Sequence, residues 1–164
     1  MSNGVFYPDL ADVGIHAITY SFTTEIPEIN YILNQSGAYA PVAGAGTQVF
    51  LADDQVSGSL PIGFNFNFYG ITFSNFYISS NGFITFNADF NSACCSGAFL
   101  PHHQASPSNL ITFAWYDLYP PGNGYIDYFT TGSAPNRKLI VNFSGIPHCC
   151  NSVPKVTVQV ILYE

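Results

Sequence analysis

Apolar residues in this chain recur at every second position, and that spacing constrains the fold more than any other feature. Over residues 60–69, Ile62, Phe64, Phe66 and Phe68 fall on one side, and Gly63, Asn65 and Asn67 on the other. Over 155–163, Val156, Val158, Val160 and Leu162 alternate with Thr157, Gln159 and Ile161. Residues 137–143 repeat the pattern with Leu139, Val141 and Phe143. A period of two sends successive side chains to opposite faces, so each segment predicts a strand with one buried face. The helix formers Glu, Lys and Met are scarce, whereas 15 Phe and 11 Tyr suit strands.

Turn residues separate these runs. Asn81-Gly82 is the preferred pair for a type I′ hairpin. Tyr69-Gly70, Gly122-Asn123-Gly124 and residues 132–136 read as further tight connections. The expected fold is all-β: an antiparallel, jelly-roll-like β-sandwich. It has about nine strands, near 16–24, 47–52, 60–69, 71–79, 82–87, 110–118, 124–130, 137–144 and 155–163. Residues 16–164 read as a single domain and 1–15 as an extended N-terminal arm. Residues 88–109 form a long loop of Ser, Asn, Pro, Cys and His, a length that usually carries function or a cross-link.

Composition narrows the function. Of the 164 residues, 48% are hydrophobic, which excludes a disordered chain. Only 8% are charged, so Asn, Ser, Thr, Gly and Tyr must build the surface, and such a surface suits lateral packing or adhesion. Net charge is −7, with Arg137, Lys138 and Lys155 the only cations. Phosphate backbones and anionic membranes need clustered cations, so neither nucleic acid nor a membrane surface is an expected partner. No apolar run has the length of a membrane-spanning helix. The first eight residues lack the basic and apolar regions of a signal peptide, so a secreted form is expected to be mature, excised or unusually exported.

The stretches LPIGFNFNFYG (60–70), ISSNGFITF (78–86), CCSG (94–97), FAWYDL (113–118), GSAPNRKLIVNF (132–143) and VQVILYE (158–164) stand in an order and spacing of their own. Together they resemble a module of secreted and cell-surface bacterial proteins, adhesin-type and distantly similar to the nidogen extracellular domain. The resemblance implies an extracellular all-β sandwich with adhesive or structural roles and no common chemistry. Such modules run several strands further than Glu164, which implies that this one takes a strand from elsewhere.

Four cysteines form two vicinal pairs, Cys94-Cys95 and Cys149-Cys150. In an oxidising compartment they read as disulfides. Bridges between the pairs would each close a loop of roughly 55 residues, worth about 3–4 kcal/mol by loop entropy. Closure within each pair and bridges between subunits are the other options. His102, His103 and His148 flank the pairs, and the seven residues together could hold zinc or copper, although no C-x₂-C spacing is present. Asp53, Asp54 and Asp117 are the candidate oxygen ligands for calcium, without a D-x-D-x-D-G loop. Tyr116, Tyr119, Tyr125 and Tyr128 surround Pro120-Pro121-Gly122 and offer a stacking surface for a glycan or a protein. Sequons stand at Asn34 and Asn142. No nucleophile elbow or HExxH occurs, so no catalytic residue is assigned and no enzyme or resident cofactor is expected.

The alternating segment 155–163 ends the sequence with no hairpin partner after it, so it is expected to be a sheet edge or to be covered by another segment. A long apolar edge is a template for a second chain. Assembly is therefore assigned to Val156, Val158, Val160 and Leu162, with Val5, Phe6 and Leu10 of the arm as a donor in the same or a neighbouring subunit, the alternative being an arm that packs along its own sandwich. The leading expectation is a noncatalytic extracellular structural or adhesive subunit. Its partners would be copies of itself or other surface proteins, joined by strand supplementation into a fibre or array.

Overall fold

The structure, a computed structural model, describes residues 40–89, 97, 109–149 and 154–164. All of them belong to one compact unit, Tyr39–Glu164. They form eight strands and no helix. These are β1 (Thr47–Gln48), β2 (Leu60–Phe68), β3 (Ile71–Ile78), β4 (Phe83–Thr85), β5 (Leu110–Thr112), β6 (Tyr125–Thr131), β7 (Lys138–Pro147) and β8 (Lys155–Tyr163). Two antiparallel sheets of four strands pack together, in the orders β1-β6-β7-β8 and β2-β3-β4-β5. The strand expected near 16–24 and the arm at 1–15 lie outside the described residues.

The alternation read from sequence marks the packed faces. Ile62, Phe64, Phe76, Ile78, Ile84 and Phe86 of one sheet meet Ile126, Leu139, Val141, Phe143, Val160 and Leu162 of the other in a single core. Each large side chain buried there contributes roughly 1.5–3 kcal/mol. Phe76 meets Tyr128 edge-on at 5.5 Å, and Phe113 tilts against Phe143 at 4.6 Å.

Two expectations need correction. The strand expected over 110–118 stops at Thr112 because the backbone then turns to the β3–β4 loop. Phe113 and Ala114 both donate their N–H to the Gly82 carbonyl, and Tyr116 donates to that of Asn81. The Asn81-Gly82 turn is also not type I′, which needs positive φ at both central residues. Only Gly82 has it, at +81°, and Ser79 N–H closes on the Phe83 carbonyl at 3.0 Å. The result is a three-residue loop, Ser80-Asn81-Gly82, with glycine in the left-handed position. A side chain at Gly82 would also strike the Ala114 carbonyl.

β2 breaks register between Pro61 and Phe66, where Gly63 has φ +90°. The bulge turns two carbonyls toward the other sheet: Ile62 accepts from Thr130 Oγ1 (2.7 Å) and Gly63 from Arg137 Nη1 (2.8 Å). Arg137 also pairs with Glu164 just beyond β8, so one cation ties both sheets at that corner.

A polar row crosses the outer face of the first sheet. Asn142 Nδ2 donates to Asp127 Oδ1 (2.8 Å), and Gln159 Nε2 donates to Asn142 Oδ1 (2.7 Å). Gln159 also grips the backbone of Val42, accepting its N–H (2.8 Å) and donating to its carbonyl (3.0 Å). From Val42 the chain runs so close over the sheet that side chains at Gly44 and Gly46 would collide with Phe129 and Asp127. Ile140, on the same outer face, is fully buried.

Candidate functional site

The loop of β3 and β4 organises one end of the sandwich. Ser79, Ser80 and Asn81 are polar and fully buried, so their hydrogen bonds must be made within the protein. Ser80 N–H donates to the Gln55 carbonyl (2.8 Å), and Gln55 N–H donates to Ser80 Oγ (3.1 Å). Asn81 Nδ2 donates to Asp54 Oδ1 (2.8 Å), and its Oδ1 accepts Leu118 N–H (3.0 Å). These bonds draw the 53–55 turn and the 113–118 segment onto one centre. Asp54 sits in the left-handed region (φ 50°), which Asp tolerates better than most residues.

That convergence brings together the three acids read from sequence. Asp53, Asp54 and Asp117 each place a carboxylate oxygen within 4.8 Å of the others. Burial, and then the charges of Asp54 and Asp117, hold the Asp53 carboxyl above the usual carboxylate range. Three acceptor groups this close repel one another unless a proton or a cation stands between them. Chemically they can offer hard oxygen ligands, the set that calcium takes.

The Asp117 carbonyl accepts Cys149 N–H (2.7 Å), and Leu118 bridges to His148. Gly97, two residues after Cys95, lies where a methyl group would stand 3.0 Å from the Trp115 carbonyl. The described parts of both cysteine-bearing loops therefore meet at residues 115–118. Cys94, Cys95, His102, His103 and Cys150 lie outside the described residues.

A cleft of about 520 Å³ opens beside this segment, lined by Trp115, Tyr116, Leu118, His148, Pro154 and Val156. The Tyr116 and His148 rings are 4.6 Å apart. Trp115 packs on Phe83 at 5.3 Å, and its buried Nε1 finds no acceptor among the described residues. Of the four tyrosines proposed as a stacking surface, Tyr116, Tyr119 and Tyr125 are exposed. Tyr128 is not part of such a surface, because its ring packs into the core on Phe76.

Among the described residues β8 pairs only with β7, so within that set its other side is an edge. The expected assembly residues Val156, Val158, Val160 and Leu162 all lie on this strand. Val160 and Leu162 are buried, and Val156 and Val158 pack on the core, so β8 presents its backbone edge rather than an apolar face. Val5, Phe6 and Leu10 lie outside the described residues. In the Asn142 sequon both ends of the side-chain amide bond within the polar row, to Asp127 and Gln159. Asn34 is outside the described residues.

Sequence reasoning missed Asn81, whose Asn-Gly context signals a turn and hides its burial. It also missed the cleft. Among comparisons with known proteins, a profile of the NIDO-related (nidogen-related) family matches residues 30–164. No curated protein and no solved structure matches the chain.

Proposed function

Because the chain belongs to the nidogen-related family, whose domains are extracellular, we propose that it is a noncatalytic structural or adhesive module that associates with further copies of itself. The observation that carries this reading is the edge of β8. It is nine residues long, and its only charged residue is Lys155 at the first position. Edges that avoid pairing are short, bulged or studded with charge. A second copy that adds a strand there gains a ladder of main-chain hydrogen bonds. Electron microscopy and light scattering of purified protein test this: association that grows with concentration supports it, and strictly monomeric particles at high concentration would sink it.

The same reading takes Cys94, Cys95, Cys149 and Cys150 as disulfides rather than zinc or copper ligands. The extracellular setting of the family supports it. So does the meeting of both loops at residues 115–118. Non-reducing mass spectrometry with thiol labelling should find no thiol. Four labelled thiols, or stoichiometric zinc or copper, would overturn this part.

A second reading adds calcium at Asp53, Asp54 and Asp117. The observation in its favour is the close approach of the three carboxylates, with the Asp53 carboxyl raised by that environment. Extracellular calcium-binding modules have dissociation constants of roughly 10⁻⁴–10⁻³ M. Calorimetric titration with calcium tests it, and absence of saturable heat would remove it.

A further inference from the structure

The described lining of the cleft beside Trp115 shares only Val156 with β8 and none of the three acids, and its volume of about 520 Å³ matches small-ligand sites. Trp115, Leu118, Pro154 and Val156 make most of its lining apolar, while Tyr116 and His148 bring a hydroxyl and an imidazole. Against the described lining, a sugar ring would set hydroxyls on Leu118, Pro154 and Val156, side chains that offer them no hydrogen bond. An anion would find no Lys or Arg in the lining. We propose that this cleft binds a phenolic ring, its face against the indole and aliphatic side chains and its hydroxyl toward Tyr116 and His148. Both polar groups can donate to or accept from a phenol.

Two sources supply that chemistry: a free small phenol, or a tyrosine of a second copy. Tyr69 fits the second. It stands at the tip of the β2–β3 hairpin, 66% exposed, with Ile71 beside it 52% exposed. Its φ is +49°, a conformation that bulky side chains rarely adopt. The tip precedes β3, whereas the loop that holds residues 113–116 follows it. Knob and cleft therefore lie toward opposite ends of one strand. A contact between two different surfaces builds rings or open chains rather than two-fold pairs. The second source rests on the self-association proposed above, and the first does not.

Trp115 is the only tryptophan, so its emission reads the cleft directly. p-Cresol is titrated into dilute wild-type, Tyr69→Ser and His148→Ala protein, with toluene as the control lacking a hydroxyl. The expected result is a saturable change in emission for wild type and Tyr69→Ser. His148→Ala and toluene should each weaken it roughly fivefold, the loss of about one hydrogen bond. No saturable response of wild-type protein to p-cresol overturns the proposal, as does equal binding of toluene. A concentration series without p-cresol then separates the sources. An emission change on self-association that Tyr69→Ser removes identifies the second copy, and p-cresol binding with no such change identifies a free phenol. Edge pairing through β8 survives the Tyr69→Ser substitution, so the two proposals fail separately.

Discussion

The side-chain amide of Asn81, fully buried, donates to the Asp54 carboxylate across 2.8 Å. Its oxygen meanwhile takes Leu118 N–H, so one residue pins two loops. Asn81→Ala strips a buried backbone donor of its acceptor, and stability should fall by about 2–3 kcal/mol in urea unfolding. Asn81→Asp sets a second carboxylate against Asp54. It should be worse than alanine at neutral pH and recover as the pH falls. A loss below about 0.5 kcal/mol for alanine, the size of an ordinary surface change, would deny Asn81 this role.

Asp53 should respond to pH and to cations in the opposite sense from a paired acid. Its folded-state carboxyl is raised, first by burial and then by Asp54 and Asp117. Its contribution is therefore present below the ordinary carboxylate pKa and lost as pH rises through the raised value. Asp53→Asn should unfold at higher temperature than wild type at neutral pH in chelator, and the gap should close in acid. Millimolar calcium should raise the wild-type melting temperature and leave Asp53→Asn nearly unmoved, as scanning calorimetry would record.

Arg137 should matter most above the carboxylate range. Its hydrogen bond holds the Glu164 carboxyl below its ordinary value, so this support is present above the unfolded pKa of glutamate and lost as pH falls. Arg137→Ala also removes the donor to the Gly63 carbonyl. Its melting temperature should lie below wild type at pH 7, with a smaller gap at pH 3. A gap independent of pH would mean that Arg137 acts through the Gly63 carbonyl and the Phe64 ring, 5.7 Å away, and not through Glu164.

Gln159→Ala should loosen residues 42–46 without unfolding the sheet, because Gln159 holds Val42 by side-chain bonds alone. Hydrogen exchange at Ala43 to Gly46 should quicken, while β7 amides keep their protection.

The strands were legible wherever one face is buried and the other wet. Ile62 and Phe64 in β2, and Leu139, Val141 and Phe143 in β7, fall where alternation put them. Ile140 breaks the rule: it is buried on the outer face that residues 42–46 approach at Phe129, Asp127 and Gln159, and nothing local to Ile140 signals a distant segment. Asn81 was misread for a related reason: a buried three-residue loop and an exposed two-residue turn share the dipeptide Asn-Gly. The acid cluster was legible as a set of residue types, but its closure depends on Asn81 joining Asp54 to Leu118, contacts 27 and 37 residues apart. The cleft required knowing that residues 113–118 leave the sheet after Thr112.

The edge of β8 is tested most directly by residue-resolved hydrogen exchange at low and high protein concentration. In a strand paired on one side, alternate amides point away from the partner and lack a main-chain acceptor. In dilute protein, alternate amides of Lys155–Tyr163 should exchange fast and the others slowly; on association, the fast set should become protected. Fast amides that stay fast in the associated protein would contradict pairing through this edge, as would a β8 already protected throughout in the monomer.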